Sequence, residues 1–336
     1  MKNMDLLNIS NLTVSFRIDQ KYYAAVDGIS LSVNKNEVFA IVGESGCGKS
    51  ALALSIMNLH NLNYTKISGD ILFNGSNLLN LNEKELNEVR GRDIGMIFQD
   101  PLTALNPLMK IGAQIEESLS LHTKLSSKEK ADHTVNLLKD TGIKNPELTY
   151  NQYPHELSGG MRQRAMIAIA LACKPSLVIA DEPTTALDVT IQAQILQLLK
   201  KLQKEMKSGI ILITHDLGVV AEMADKVAVM YAGQIVEIGS VNDIFKSPKH
   251  PYTKSLLASM PSIDTQKEDA NLRTIHGMVP SLLKLKRTGC RFSPRIPWIN
   301  ENAHEKNPEY HEVSPNHYVL CSCYKTFHFE NEKEGA

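Results

Sequence analysis

Hydrophobic and polar positions in the first quarter of the chain change from a strand pattern to a helix pattern. Short runs rich in Val, Ile and Leu, broken by turn residues, predict strands over residues 8–16, 24–33 and 37–42. A helix is predicted next, over residues 49–59, and a further strand over 71–74. The chain therefore begins with a small β-rich unit that leads into an alternating pattern.

The second half of the chain alternates apolar runs with helices. Continuous apolar runs occupy residues 177–180, 210–214 and 227–231, and helical patterns at 190–207 and 217–224 lie between them. Strands that are apolar throughout and alternate with helices predict a parallel sheet covered on both faces.

A polar helical stretch separates these two parts. It runs over about residues 110–157, with a helix start at Ser126 and Ser127 and a stop at Gly142. Beyond about residue 245, Pro, His, Asn and Cys become more frequent and the periodicity fades. This shift predicts two domains, 1–245 and 246–336.

Composition narrows the class of protein. The 336 residues carry a formal net charge of −1, with 43% hydrophobic and 22% charged residues, so no basic footprint for nucleic acid is present. The longest apolar run, 166–173, is far shorter than the ~18 residues of a membrane span, and the polar N-terminus lacks a signal-peptide core. Five cysteines, an odd number, disfavour a fully paired secreted scaffold. We therefore expect a soluble intracellular globular protein.

The segment GESGCGKS, residues 43–50, matches the phosphate-loop pattern and follows a predicted strand and precedes a predicted helix. Its glycines allow the backbone to curl around a phosphate, and the amides at the helix start would cradle the anion. Lys49 would reach the β- and γ-phosphates, and the Ser50 hydroxyl would bind Mg²⁺. The predicted nucleotide contacts are Gly43, Glu44, Ser45, Gly46, Cys47, Gly48, Lys49, Ser50 and Ala51. The alternative is a glycine-rich turn with no ligand, and Cys47 is interpreted as a tolerated small residue and not as a nucleophile.

The segment SLVIADEP, residues 176–183, predicts a buried strand that ends in two carboxylates. Asp181 is placed to bind Mg²⁺ directly or through water, and Glu182 to accept a proton from the water that attacks the γ-phosphate. Two ordinary strand-end acids are the alternative, which the phosphate loop in the same chain disfavours.

The segment LSGGMRQR, residues 157–164, predicts a second anion site. Ser158, Gly159 and Gly160 open a helix, and helix starts of this kind bind phosphate. One chain thus has two phosphate-binding helix starts but one phosphate-loop lysine. This is reasonable if the second site closes over a nucleotide held by a partner chain.

Together these motifs resemble those of the nucleotide-binding subunits of ABC transporters, over about residues 5–245. IFQDPLTALNP contains the Q-loop residue Gln99, EPTTALD ends in the D-loop residue Asp188, and ILITHDLG contains the switch residue His215. The resemblance implies an α/β fold: a P-loop ABC ATPase core with a mostly parallel sheet and an N-terminal antiparallel β subdomain. It further implies an inserted helical subdomain at about 101–164 and a small irregular C-terminal region.

The resemblance also implies roles for individual residues, with ATP and Mg²⁺ as cofactors. Glu182, His215, Lys49 and Gln99 would be catalytic; Ser50, Gln99 and Asp181 would hold the metal; Ser158, Gly159, Gly160 and Asp188 would contact nucleotide. Family members stack adenine on an N-terminal aromatic residue, for which Phe16 fits best and Tyr22 and Tyr23 are alternatives.

The segment SPKHPYTKSLLASMP, residues 247–261, resembles the ATPases of dipeptide, oligopeptide, nickel or metallophore importers. The run from YPHELSGG to TIQAQI, residues 153–195, looks most like the "D" subunits of dipeptide and oligopeptide importers. Many of these hold an iron–sulfur cluster on four cysteines. This chain keeps Cys290 and Cys321 but has Ile296 and Ala303 at the two middle positions, so we expect no cluster. The alternative is a different Cys/His metal site, drawing on Cys323 and on the nearby histidines His304, His311 and His317.

The implied function is to power import of di- or oligopeptides through ATP-driven dimerisation, from a peripheral position on the cytoplasmic face of the membrane. Implied partners are two permease subunits, a second ABC ATPase (a paralogue, or a second copy) and an extracytoplasmic substrate-binding protein, with residues 100–107 contacting the permease. Nickel, a metallophore or another small solute is the alternative cargo. A soluble ABC ATPase of DNA repair or translation would need a coiled-coil or zinc insertion or a second cassette, and a non-hydrolysing regulatory protein conflicts with the complete catalytic set.

Overall fold

The structure, a computed structural model of the chain, describes residues 5–185, 188–260 and 274–330. The strands are β1 Leu7–Ile18, β2 Lys21–Val33, β3 Val38–Val42, β4 Thr65–Phe73, β5 Ser76–Asn77, β6 Ile94–Ile97, β7 Leu177–Asp181, β8 Gly209–Thr214, β9 Lys226–Tyr231, β10 Gln234–Ser240, β11 Tyr310–Ser314 and β12 His317–Leu320. The α-helices are α1 Lys49–Ile56, α2 Glu83–Val89, α3 Pro101–Ala104, α4 Ile111–His122, α5 Ser127–Asp140, α6 Pro146–Tyr150, α7 Gly159–Leu171, α8 Val189–Met206, α9 Leu217–Met223, α10 Val241–Lys246 and α11 Pro251–Ala258.

The N-terminal strands form an antiparallel sheet in the order β2-β1-β4-β5. The strands predicted at 8–16 and 24–33 are confirmed as β1 and β2. Strand β4 begins at Thr65, earlier than the predicted start at 71, because its first half is polar and largely exposed but still pairs with β1. Cross-strand backbone pairing therefore extends this strand beyond its apolar pattern.

The second sheet has the order β11-β12-β10-β9-β3-β8-β7-β6. Its centre is parallel, with β3 between β8 and β9, and β7 between β6 and β8. This confirms the parallel sheet predicted from the apolar runs. Strand β6 was not predicted, since a strand of four residues is too short to show a period.

Side chains of the central strands alternate between two apolar cores. On β3, Phe39 and Ile41 pack with the N-terminal sheet and α1, whereas Ala40 and Val42 pack with α9 and the C-terminal region. On β7, Val178 and Ala180 pack against α7 and α8. The sheet is thus covered on both faces.

The helical stretch predicted at 110–157 consists of α4, α5, α6 and a short 3₁₀ turn. The predicted start of α5 is confirmed by a capping box, in which the Ser126 side chain accepts from Glu129 N–H and the Glu129 carboxylate accepts from Ser126 N–H. The predicted stop is confirmed as well, since Gly142 follows the helix with a left-handed φ of 80°. Helix α1 was predicted to end at residue 59 but ends at Ile56. Two residues later, Asn58 has a left-handed φ of 48°, which does not continue a helix.

The described part of the C-terminal region adds to the main sheet. Strand β12 pairs with β10, and β11 pairs with β12 around a tight turn in which Asn316 has a φ of 62°. Short 3₁₀ turns occupy much of 293–303, in keeping with the irregular structure expected there. The hairpin was not predicted because strands of five and four residues show no clear alternation. The division at about residue 245 stays a prediction, and residues 261–273 and 331–336 lie outside the described residues.

Candidate nucleotide site

The phosphate-loop segment 43–48 links β3 to α1 and passes very close to neighbouring backbone. Gly48 has a φ of 109°, and a Cβ there would lie 2.5 Å from the Ala25 carbonyl oxygen and 2.7 Å from Met230 Cε. Gly46, with a φ of 80°, has open space where its Cβ would be. The loop therefore requires glycine on its packed side and is open on the other side, where an anion can approach.

Lys49 is 5% exposed, which is unusual for a lysine. Its Nζ donates hydrogen bonds to the carbonyl oxygens of Gly43, at 2.8 Å, and Glu44, at 3.1 Å. The ammonium group is thus held over the loop by groups that a phosphate can replace. Cys47 in the same loop is 1% exposed, and burial raises the pKa of its thiol, which disfavours a thiolate nucleophile.

Asp181 ends strand β7 and is 5% exposed. Its Oδ1 is buried and has no hydrogen-bond partner. Burial raises the pKa of the Asp181 carboxyl, while a hydrogen bond from Ser50 and the charge of Lys49 act in the opposite direction. The structure therefore brings a buried carboxylate with one unsatisfied oxygen next to the phosphate-loop residues Lys49 and Ser50.

Three side chains meet at the carboxyl ends of adjacent strands. Gln99 follows β6, Glu182 follows β7 and His215 follows β8. The Glu182 Oε2 accepts a hydrogen bond from Gln99 Nε2 at 3.0 Å, and His215 Nδ1 lies 3.4 Å from Glu182 Oε1. Because parallel strands end at one edge of a sheet, residues distant in sequence surround a single carboxylate.

The Glu182 backbone is itself unusual, with a φ of 47°. Its N–H donates to the Ile213 carbonyl oxygen at 2.9 Å, and its Oε2 also accepts from the Thr185 hydroxyl at 2.9 Å. Sequence reasoning did not single out Thr185. In this left-handed conformation the Glu182 side chain contacts both Gln99 and His215.

The segment 157–164 forms the start of α7 as predicted. The Ser158 side chain caps the helix by accepting from Met161 N–H, and Gln163 Nε2 donates to the Pro183 carbonyl oxygen at 2.6 Å. Asp188 caps α8 by accepting from Ile191 N–H at 3.0 Å. An open cavity next to α7 is lined by residues from 142–164 and 188–194, and none of residues 43–50 lines it. The two predicted phosphate-binding helix starts therefore face different spaces in one chain.

Phe16 lies on β1 directly opposite Tyr23 of β2. Its ring packs edge-on against His60, with ring centroids 5.5 Å apart. Tyr22 lies on the other side of the strand, with Lys66 Nζ 4.2 Å above its ring. Which of these aromatics stacks on adenine stays a prediction.

Two residues of the C-terminal region contact the phosphate loop, and sequence reasoning missed both. The Tyr252 hydroxyl accepts from Glu44 N–H at 2.9 Å, and Arg295 donates two hydrogen bonds, at 2.5 Å and 3.2 Å, to the Glu44 carboxylate. Burial raises the pKa of Tyr252 beyond its usual range. These contacts join positions more than 200 residues apart, and no local signal predicts them.

Comparison with known families agrees with this geometry. Residues 26–185 match the family described as ABC transporter, and residues 236–299 match the family described as oligopeptide/dipeptide transporter, C-terminal region. A protein of Lactococcus lactis subsp. cremoris named oligopeptide transport ATP-binding protein OppD is 51% identical over 334 residues, covering 99% of this chain and 98% of its own. This chain belongs to the ABC transporter family.

Further relatives agree with this ABC assignment. An oligopeptide transport ATP-binding protein OppD of Bacillus subtilis is 52% identical, covering 94% of this chain and 87% of its own. A dipeptide transport ATP-binding protein DppD of the same organism is 51% identical, covering 87% of each chain. The ABC subunit is therefore a transport ATPase of the group to which these ATP-binding proteins belong.

Solved structures confirm the predicted ABC fold. The ABC transporter cassette MJ0796, described as dimeric, matches with a TM-score of 0.63 and 29% identity, covering 70% of this chain and 98% of that one. The same cassette in a post-hydrolysis state bound to ADP and Pi matches with a TM-score of 0.63 and 28% identity, with the same coverage. Within the described residues, the ABC subunit has no helix that is both long and apolar enough to span a bilayer.

Proposed function

We propose that this chain is the ATP-hydrolysing subunit that powers import of oligopeptides or dipeptides through a membrane-embedded ABC transporter. The single observation that carries the proposal is similarity along nearly the whole chain, including the C-terminal region, to proteins named for oligopeptide and dipeptide transport. The geometry of the nucleotide site supports the ATPase part independently.

ATP would place its β- and γ-phosphates against the amides of residues 46–50, with Lys49 next to them. Mg²⁺ would be held by Ser50 and Asp181, with Gln99 nearby, and would neutralise charge on the phosphates. These residues fit a Mg²⁺ ion because Asp181 Oδ1 is a buried oxygen without a hydrogen-bond partner. A cation at this position satisfies that oxygen, whereas its burial without a partner is costly.

Glu182 would act as the general base for the attacking water. Its side chain is 14% exposed, so it is reachable by solvent but fixed by hydrogen bonds from Gln99 and Thr185. His215, with 64% of its side chain exposed, lies beside the carboxylate and is free to contact a γ-phosphate. The Gln99–Glu182–His215 arrangement would thus surround the attacking water and the terminal phosphate.

The cavity beside Ser158 and Gly160 supports a site shared between two chains. It opens to solvent away from the phosphate loop of its own chain, so its amides are available to a nucleotide held by a partner. The partner is either a paralogous ATPase subunit or a second copy of this chain. ATP would close the pair, and hydrolysis would allow it to open.

Residues 100–107 are our candidate for contact with a permease subunit. Leu102 on helix α3 is 60% exposed, and the segment directly follows Gln99 of the nucleotide site. A contact there would couple the state of the nucleotide to the permease. The complete assembly would contain two permease subunits and an extracytoplasmic substrate-binding protein, with this chain on the cytoplasmic face.

The test is transport in proteoliposomes that contain this chain, a second ATPase subunit and two permease subunits, with the substrate-binding protein on the side of the membrane opposite the ATPases. We expect ATP-dependent uptake of a labelled oligopeptide and no uptake when Lys49→Ala replaces the native chain. Uptake of nickel or a metallophore without peptide uptake would contradict the peptide assignment. ATP hydrolysis by Lys49→Ala at the native rate would contradict the site.

A further inference from the structure

Four potential metal ligands converge in the C-terminal region: Cys290, His304, Cys321 and Cys323, here called the Cys/His cluster. Their ligand atoms all lie within 4.8 Å of one another. The three cysteines are free thiols and are 8%, 1% and 0% exposed, respectively. The four ligands come from three separate segments, around Cys290, around His304 and at 321–323, so their convergence is a feature of the tertiary structure.

His304 carries the second observation. Both of its ring nitrogens are buried and neither has an oxygen or nitrogen partner, so the groups beside the ring are the cluster's own thiols, Cys321 among them. Leaving a buried polar group without a good partner destabilises the folded chain. Three thiols alone could pack as small apolar side chains, but a thiol is only a weak hydrogen-bond partner for the two buried ring nitrogens of His304. A bound cation satisfies the imidazole and the thiolates together.

The spacing fits one ion. Two thiolates about 2.3 Å from one tetrahedral zinc ion lie about 3.8 Å apart, and a histidine nitrogen comes slightly closer. An iron–sulfur cluster spreads its ligands over several irons and takes about four thiolates. In this chain Ile296 and Ala303 pack within the same apolar core as the three cysteines. The donor set is therefore three sulfurs and one nitrogen within a single coordination sphere.

We propose that Cys290, His304, Cys321 and Cys323 bind a single Zn²⁺ ion in a closed, structural site. Three cysteines and one histidine are one of the usual ligand sets of structural zinc. All four positions are then used by protein ligands, so the site has no open position for catalysis. Its role is to join three segments that share little regular secondary structure.

Contacts around the ligands support this arrangement. The backbone N–H of Glu305 donates to Cys321 Sγ at 3.4 Å. The Glu305 carboxylate accepts from Ser322 N–H at 3.1 Å and binds His311 Nε2 at 2.6 Å. Glu305, which follows the ligand His304, thus fixes the turn that carries Cys321 and Cys323. Residues outside the ligand set orient metal ligands in this way.

The segment that follows Cys290 connects the Cys/His cluster to the nucleotide site. Arg291 pairs with Asp27 and donates to the Ala232 carbonyl oxygen at 2.6 Å, and Arg295 binds Glu44 in the phosphate loop. A metal at Cys290 would therefore stabilise the segment that contacts the loop. This gives the site a structural consequence that can be measured apart from its metal content.

The experiment is elemental analysis of the full chain, purified anaerobically without a metal-affinity step. We expect one zinc per chain, no acid-labile sulfide, and loss of most of the zinc in Cys323→Ser and His304→Ala. The matched controls are Cys173→Ser and His276→Ala, since these side chains lie outside the cluster, and both should keep the zinc. Hydrogen exchange should be faster across residues 286–326 in the zinc-free chain than in the zinc-loaded chain.

Because a ligand variant can fail to fold, the wild-type chain provides a second measurement. Exchange of zinc for Co²⁺ should give the thiolate charge-transfer and d–d absorption bands of tetrahedral cobalt. Iron accompanied by acid-labile sulfide would overturn the proposal in favour of a cluster. A metal-free chain with three thiols that alkylate readily in the native state, or a disulfide between two of them, would overturn it as well.

Discussion

The nucleotide site and the Cys/His cluster are both assembled from distant parts of the chain, but by different means. In the nucleotide site, Gln99, Glu182 and His215 each follow a strand of one parallel sheet, so the sheet places them together. In the cluster, the ligands lie in loops, short turns and the end of a small hairpin. Motif spacing is therefore informative where strands and helices carry the residues, and it is not informative in irregular segments.

The largest expected effect is on the rate of ATP hydrolysis, when the proposed general base Glu182 is replaced. Glu182→Gln should lower the rate of ATP hydrolysis by about 10²–10⁴-fold, because general-base catalysis contributes that much, while ATP binding persists. Steady-state phosphate release and equilibrium ATP binding measure the two. Glu205→Gln is the control, since Glu205 forms an exposed pair with Lys201 at 3.8 Å. An unchanged rate in Glu182→Gln, paired with an inactive partner, would remove Glu182 from this role.

The next largest effect is expected on the free energy of unfolding, at the buried contact between the C-terminal hairpin and strand β10. His317 and Glu237 form a 2.7 Å pair and are 1% and 0% exposed. Removing the imidazole leaves a buried acceptor without that partner, so His317→Ala should cost about 2–4 kcal/mol of unfolding free energy. Urea unfolding measures the loss.

The chain offers a matched control for this pair. His276 and Glu330 form a similar 3.1 Å pair whose side chains are 60% and 57% exposed. His276→Ala should change the unfolding free energy by less than about 0.5 kcal/mol. Equal losses from the two variants would show that burial does not set the strength of these pairs.

A smaller effect tests the contact between the C-terminal region and the phosphate loop. Arg295→Ala should cost about 1–3 kcal/mol of stability, because it leaves the partly buried Glu44 carboxylate without its two hydrogen bonds. It should also raise the KM for ATP, whereas Arg295→Lys should give an intermediate value. A double-mutant cycle with Glu44→Ala measures the coupling. Additive losses would show that the pair does not act as a unit.

The smallest effect on the isolated chain is expected at the proposed permease contact. Leu102→Asp replaces a side chain that is 60% exposed, so stability should stay within about 0.5 kcal/mol and ATP binding should not change. Co-purification with the permease subunits should be lost. Unchanged co-purification and transport would move the contact away from residues 100–107.

The success of the sequence-based predictions follows the length and regularity of the elements. The central strands were predicted because each is an apolar run flanked by helices, as in β7, where every residue is buried. The capping box of α5 was predicted because it is a contact between residues three apart. Strands β6, β11 and β12 were missed, since four or five residues cannot show a period. The seven-residue strand β10 was missed as well, because Glu237 and Gly239 interrupt its apolar run.

In the nucleotide site, residues within short motifs were predicted from the sequence, whereas contacts made by the C-terminal region were missed. Lys49, Asp181 and Glu182 lie in short motifs whose spacing along a strand, loop or helix fixes their local geometry. Tyr252 and Arg295 reach Glu44 from the far end of the chain. Nothing in their own neighbourhood of the sequence marks that contact, because packing of the C-terminal region against the core creates it.

The sequence by itself determined the class of fold, the phosphate loop, the paired carboxylates and the family, because these depend on local pattern and on the rule that parallel strands end together. Only the tertiary structure decided which distant residues meet: Glu182 with Gln99 and His215, Glu44 with Arg295, and His304 with three buried thiols. These contacts depend on burial and on the paths of irregular segments, which no local spacing encodes.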